Sequence, residues 1–400
     1  MKFVAAVWKL LVGIKDALVL LLLLLFFGLL FAALSTRPAA VGSGVLDLQL
    51  EGSVVEQPRR MTWAEALGGD PIGEYRLSDL VGALDAARTD DRAKAVALDI
   101  DGFMGGGATA MGDLSEAIRR VRAAGKPVVA YGTGYSSDGY QLAAAASEVW
   151  LNPLGAVLIT GPGGANLYFK GLLDKLGVTA NIYRVGTYKS AVEPFMRNDM
   201  SPEARENYQA LGNALLEDWR NDVRKSRPKA DVDSFLKDMN GAVTAAGGDM
   251  AKAALNAGLV DKIGEREAYE ARLAELGGAG NGDDTFARVR LSAFQRETVS
   301  RGDSGPIGVI TVAGTIVDGE AGPGTAAGDT IADAIDRAIK AEVKALVVRV
   351  DSPGGSVTAS ERIRQSLLAA RSNDIPVVIS MGDVAASGGY WIATAGDFIY

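Results

Sequence analysis

Ser387 stands in a run of small residues, Val384-Ala385-Ala386-Ser387-Gly388-Gly389-Tyr390, shortly after the apolar segment Ile375-Pro376-Val377-Val378-Ile379-Ser380. A serine hydroxyl is a weak nucleophile until a neighbouring base takes its proton. The chain has no histidine and no cysteine in 400 residues, which closes the Ser-His-Asp and Cys-His arrangements. The remaining common base is a lysine deprived of its charge. Lys189 offers one, in Val185-Gly186-Thr187-Tyr188-Lys189-Ser190-Ala191-Val192-Glu193-Pro194-Phe195. Together the two motifs point to a serine–lysine hydrolase.

An ordinary lysine titrates at about 10.4, so Lys189 must be buried to work near neutrality. Val185, Tyr188, Ala191, Val192 and Phe195 are expected to wall it off, with Thr187 and Ser190 placed to orient the amine. Glu193 would oppose this if it faced the amine. The plainer reading makes Lys189 one solvated cation among 41 Lys and Arg, and Ser387 a helix N-cap. The presence of both motifs in one chain favours catalysis. Gly354 and Gly355, in Asp351-Ser352-Pro353-Gly354-Gly355, form a turn able to aim backbone N–H groups at an oxyanion; a plain tight turn is the competing reading.

These residues need elements to hold them, and the chain supplies those twice. Lys94-Ala95-Val96-Ala97-Leu98-Asp99-Ile100-Asp101-Gly102 aligns with Lys344-Ala345-Leu346-Val347-Val348-Arg349-Val350-Asp351-Ser352. The step from Asp101 to Asp351 equals the step from Ser137 to Ser387, and extra residues around Pro58–Glu74 separate the upstream strands. In the second copy, strands are expected at Gly308–Val312, Ala345–Val350 and Val377–Ser380. A helix carrying Ile331, Ala334, Ile335, Ala338 and Ile339 on one face lies between the first two, and another near Ala359–Arg371. Alternating strands and helices predict an α/β fold of βαβ units around a largely parallel sheet, with sites at the carboxyl ends of the strands. Ser137 matches Ser387, but Asp138 replaces Gly388; a carboxylate there would oppose a developing oxyanion, so Ser137 is read as silent. The glycines of Gly102–Gly107 and Gly161–Gly164 lack the ending of a phosphate loop. Arg301-Gly302-Asp303 is read as chance.

The division expected is an N-terminus and transmembrane anchor at 1–40, a first repeat at 41–276 carrying Lys189, a linker at 277–304, and a second, incomplete repeat at 305–400 carrying Ser387. The second copy lacks counterparts of residues 151–276, which suggests a piece of a longer protein. Ala17 to Leu34 is uncharged and apolar, near the roughly 20 residues that cross a bilayer and longer than the roughly 7–15 of a signal-peptide core. An uncleaved anchor is favoured, although Ala32-Ala33-Leu34-Ser35 leaves cleavage open. Lys2, Lys9 and Lys15 precede the run and Arg37 follows it, so the bulk of the chain is expected outside the cytoplasm. A net charge of -8 argues against nucleic acid. Without histidine or cysteine the common metal ligands are missing, and no cofactor or metal is expected.

The segments Tyr188-Lys189-Ser190-Ala191-Val192-Glu193-Pro194-Phe195, Asp351-Ser352-Pro353-Gly354-Gly355-Ser356 and Ala386-Ser387-Gly388-Gly389-Tyr390 together resemble the signal peptide peptidase A family, also called protease IV, in its long, tandem-repeat, membrane-anchored bacterial form. The resemblance implies a tandem repeat of Clp protease/crotonase-like domains, Lys189 as general base and Ser387 as nucleophile. It further implies signal peptides left in the membrane as substrates and a homo-oligomer, a tetramer, on the periplasmic side of the inner membrane. Two other readings stand beside it: a catalytically inactive membrane scaffold of the same fold, and a crotonase-like acyl-CoA enzyme.

Overall fold

The computed structural model describes residues 2–35, 41–60, 73–299 and 305–400. Arg37, the boundary at residue 40, residues 61–72 of the upstream insertion and Arg301-Gly302-Asp303 lie outside them. The chain divides into two compact units, Met1–Val41 and Gly42–Tyr400.

The first unit is one helix, Lys2–Ser35, of 34 residues. It starts well before the apolar run because Lys9 and Lys15 are good helix formers whose charges can be solvated along the helix surface. Its Lys2–Phe31 stretch is long and apolar enough to cross a membrane. At about 1.5 Å per residue the helix spans roughly 50 Å, more than the roughly 30 Å of a hydrocarbon core. The lysines therefore have length to spare outside the apolar layer.

The second unit is α/β, built on parallel strands. A six-stranded sheet runs in the spatial order Lys262–Ile263, Glu148–Val157, Val128–Tyr135, Ala93–Asp99, Gly44–Gln49, Arg288–Arg290. A four-stranded sheet runs Ile307–Ala313, Ala345–Ser352, Val377–Ala385, Phe398–Ile399. All these pairings are parallel. Read from the Gly44–Gln49 and Ile307–Ala313 strands, the two sheets share one succession of four: each first strand pairs with the next of these strands in chain order, then the third and the fourth follow. The segment expected as a linker carries the strand Arg288–Arg290, which pairs with Val45–Asp47, and the helix Leu291–Thr298.

Burial explains these choices. Ala93–Asp99 is buried at nearly every position, as parallel strands covered on both faces are. Ala345–Ser352 alternates instead, with Leu346, Val348 and Val350 fully buried beneath Ile331 and Ile335 of the helix Gly328–Lys340 and Ile363 and Leu367 of the helix Val357–Ser372. Each such aliphatic side chain contributes roughly 1.5–3 kcal/mol on leaving water. The second strand of the downstream sheet also reaches the upstream half: Arg349 donates through Nε to Glu56 Oε1 at 2.8 Å and through Nη1 to Ser380 Oγ at 2.9 Å.

Candidate active site

Ser387 follows directly on the strand Val377–Ala385 and opens the short helix Gly388–Ala393. Its backbone sits at φ 50, ψ −116, a conformation a non-glycine residue rarely adopts. Trp391 N–H donates to its carbonyl at 2.9 Å and Ala386 N–H donates to Ser352 O at 3.0 Å, so the backbone on both sides is pinned. Although Ser387 occupies the N-cap position, its side chain makes no capping bond. Among the described residues the exposed side chain of Ser387 has no hydrogen-bond partner, which is not how a serine that merely starts a helix behaves.

The turn of Gly354 and Gly355 lies against this serine. Gly354 has φ 96, and a Cβ built on it would stand 2.7 Å from Ser387 Cβ and 2.6 Å from Gly388 N. Only a residue without a side chain permits that approach. Buried Ser352 braces the turn: its Oγ donates to Gly314 O at 2.7 Å and accepts from Gly354 N–H at 3.1 Å. Ile316 N–H donates to Gly354 O and Ser356 N–H to Ile316 O, both at 2.9 Å. Among the described residues, the amides of Gly355 and Gly388 have no acceptor. The Gly388 amide follows the exposed Ser387 directly, and the Gly355 amide belongs to the turn packed against it.

Lys189 is placed differently. It follows a turn at Gly186, its N–H reaching Gly186 O at 3.4 Å and its carbonyl accepting from Arg184 Nη1 at 2.8 Å. The side chain is exposed, and among the described residues the amine contacts neither Ser387 nor the glycine turn. The apolar pocket expected around it is not formed by the single chain: Val185 is 87% and Tyr188 53% exposed. The physical reason is that this loop, between the short helices Lys170–Lys175 and Glu193–Met196, is exposed along nearly all its length in the single chain. Glu193, the anticipated competitor, is engaged by other partners. It is buried, accepts from Ser201 N–H at 3.1 Å and faces Arg184 at 3.6 Å. Burial raises its carboxyl, but the Ser201 bonds and the charges of Arg197 and Arg184 outweigh that and hold it below the usual range. Thr187 and Ser190 make no bond to the amine among the described residues.

Ser137 and Asp138, aligned in sequence with Ser387 and Gly388, are placed otherwise. Ser137 Oγ accepts from Thr160 and Gly161 N–H, both at 3.2 Å. Asp138 Oδ2 accepts from Gly106 N–H at 3.1 Å. The upstream glycine turn therefore already holds a carboxylate oxygen on its amide. Burial raises the Asp138 carboxyl, partly offset by the Gly106 bond and reinforced by the nearby charge of Asp383. A cleft of about 940 Å³ opens here, lined by Ser137, Asp138, Leu215, Leu216 and Trp219, and does not include Ser387.

Sequence reasoning gave no role to two residues here: Ser352, although it lies in the glycine-turn motif, and Asp383, whose partner lies in the upstream half.

The family model for peptidase family S49 matches residues 120–279 and 369–400. A protein named Protease 4 from Salmonella typhi is 40% identical over 366 residues, 89% of this chain and 59% of its own length. Protease 4 from Haemophilus influenzae is 37% identical over 418 residues, 98% of this chain and 66% of its own. The chain thus spans about two thirds or less of the length of these relatives. Among solved structures, a membrane-bound stomatin-specific protease aligns over 64% of this chain and 95% of its own at 12% identity, with a TM-score of 0.29.

Proposed function

Because the chain belongs to peptidase family S49, we propose that it is a membrane-anchored serine endopeptidase with Ser387 as nucleophile and Lys189 as general base. The observation that carries this reading is the exposed, uncapped Ser387 hydroxyl, held at φ 50 against the side-chainless turn of Gly354 and Gly355. Neutral Lys189 takes the hydroxyl proton while Ser387 Oγ bonds to the peptide carbonyl carbon. The oxyanion so formed is met by the amides of Gly355 and Gly388. The lysine returns its proton to the leaving amine as the C–N bond breaks, then takes a proton from water to hydrolyse the ester. None of these steps calls on a cofactor.

Lys189 is exposed in the single chain, so in this reading an assembly of copies, a tetramer by resemblance, covers its loop and brings it to a serine. The shared strand succession of the two sheets supports a tandem repeat. The Asp138 carboxylate on Gly106 N–H supports an upstream copy without catalysis of its own. The helix holding the apolar stretch Lys2–Phe31 anchors the chain in the inner membrane; Lys2, Lys9 and Lys15, ahead of the uncharged run from Ala17, hold the N-terminus in the cytoplasm and leave the site facing the periplasm. Peptides left in that membrane, cleaved signal peptides first, are the substrates within reach.

The test is labelling of the full-length protein with a peptidyl acylating probe. The expected result is one adduct on Ser387, lost in Ser387→Ala and Lys189→Ala. An unchanged adduct yield in both variants overturns the assignment. The solvent position of Lys189 favours one second reading, a catalytically inactive scaffold; it requires that wild type not be labelled.

A further inference from the structure

The helix Ala108–Ala123 begins after Gly107, which has no side chain to cap it. Serine, threonine, aspartate or asparagine ordinarily fills that place and accepts the first free N–H groups. Here the acceptor comes from the other half of the chain. Asp383 Oδ1 accepts from Thr109 N–H at 2.6 Å and from Ala110 N–H at 3.4 Å, and Thr109 Oγ1 donates to Gly382 O at 3.3 Å. A Cβ on Gly107 would lie 1.8 Å from Asp383 Cγ, so the carboxylate occupies the space that the missing side chain vacates.

Asp383 belongs to the strand Val377–Ala385, which runs straight into Ser387. The residues after it are held from the other side, Val384 N–H by Asp351 Oδ1 at 2.9 Å and Ala386 N–H by Ser352 O at 3.0 Å. From Gly382 to Ala386 the chain is therefore gripped alternately by the upstream helix and by the downstream sheet. Building on the catalytic reading above, we propose that Asp383 is a positioning residue: as a borrowed helix cap it fixes the strand end that aims Ser387, and so couples the upstream half to the nucleophile.

Three full-length variants test this by steady-state peptide hydrolysis and by amide hydrogen exchange at residues 384–389. Asp383→Ala is expected to lower kcat by about 10- to 100-fold, to leave KM within about twofold, and to speed exchange at 384–389. Asp383→Asn keeps an oxygen that accepts the same N–H groups and is expected to restore at least half of kcat. Gly107→Ala attacks the contact from the other side and should resemble Asp383→Ala. Wild-type kcat and exchange in Asp383→Ala, or an asparagine no better than alanine, overturns the proposal. If Asp383→Ala does not fold, a retained kcat in Asp383→Asn with a reduced one in Gly107→Ala supports it; equal values in those two overturn it. Should wild type lack activity, the catalytic reading fails separately, and the exchange rates alone decide whether Asp383 holds the strand.

Discussion

Gly354 and Ser387 pack so closely that a methyl group on the first would stand 2.7 Å from Cβ of the second. Gly354→Ala must therefore push the nucleophile turn aside, and its φ of 96 strains any side chain placed there. Peptide hydrolysis should fall by about 100-fold or more, with far-ultraviolet circular dichroism unchanged. Activity within twofold of wild type would show that the turn does not set the serine.

Lys189→Arg separates a base from a cation. A guanidinium stays charged at any working pH, so it cannot take the hydroxyl proton. The variant should lose about 10²- to 10⁴-fold in kcat, as much as Lys189→Ala. Retained turnover in the arginine form would mean that position 189 supplies only positive charge.

Ser352→Ala removes a buried hydroxyl that both donates to Gly314 O and accepts from Gly354 N–H. Buried Gly354 N–H and half-buried Gly314 O lose their partner, and unfolding in urea should show a loss of about 1–3 kcal/mol. A midpoint equal to wild type would indicate that water or a shifted backbone replaces the bonds.

Asp138 gives a prediction in pH. Burial raises its carboxyl in the folded chain, so the protonated form favours folding. That contribution is complete below the ordinary aspartate value and is lost as pH climbs through the raised one. Asp138→Asn cannot ionise. Urea unfolding should find the variant's stability, relative to wild type, rising from acid toward neutral pH. A difference that stays flat across that range would remove Asp138 from the balance.

Ser137→Ala completes the set. Ser137 Oγ already accepts two backbone N–H groups beside a carboxylate-filled amide. Peptide hydrolysis should stay within about twofold of wild type; a large loss would assign chemistry to the upstream turn.

Local patterns carried much of this architecture. The strand expected at Ala345–Val350 spans Ala345–Ser352, and the helix expected near Ala359–Arg371 spans Val357–Ser372. Apolar spacing reports burial directly, and burial is what those elements share. The closeness of Ser387 to Gly354 was also legible, because both motifs follow consecutive strands of one sheet. Contacts between the halves were not. Asp383 reads as an ordinary strand-end acid, and Gly107 as one more glycine, until folding brings them together. The exposure of Lys189 in the single chain was not legible for a related reason. Apolar residues near it in sequence need a second surface to close over them, and in the single chain Val185 and Tyr188 stay exposed.

The borrowed cap also limits how the two halves can be recombined. A chimera that takes residues upstream of 300 from one homologue and the remainder from another stays compatible only if an acidic or amide side chain meets a bare backbone at 107. Glu56 and Arg349 impose a second matched pair of the same kind. Gene fusions that ignore these partners would mismatch at the seam itself, and the halves are best exchanged as one block.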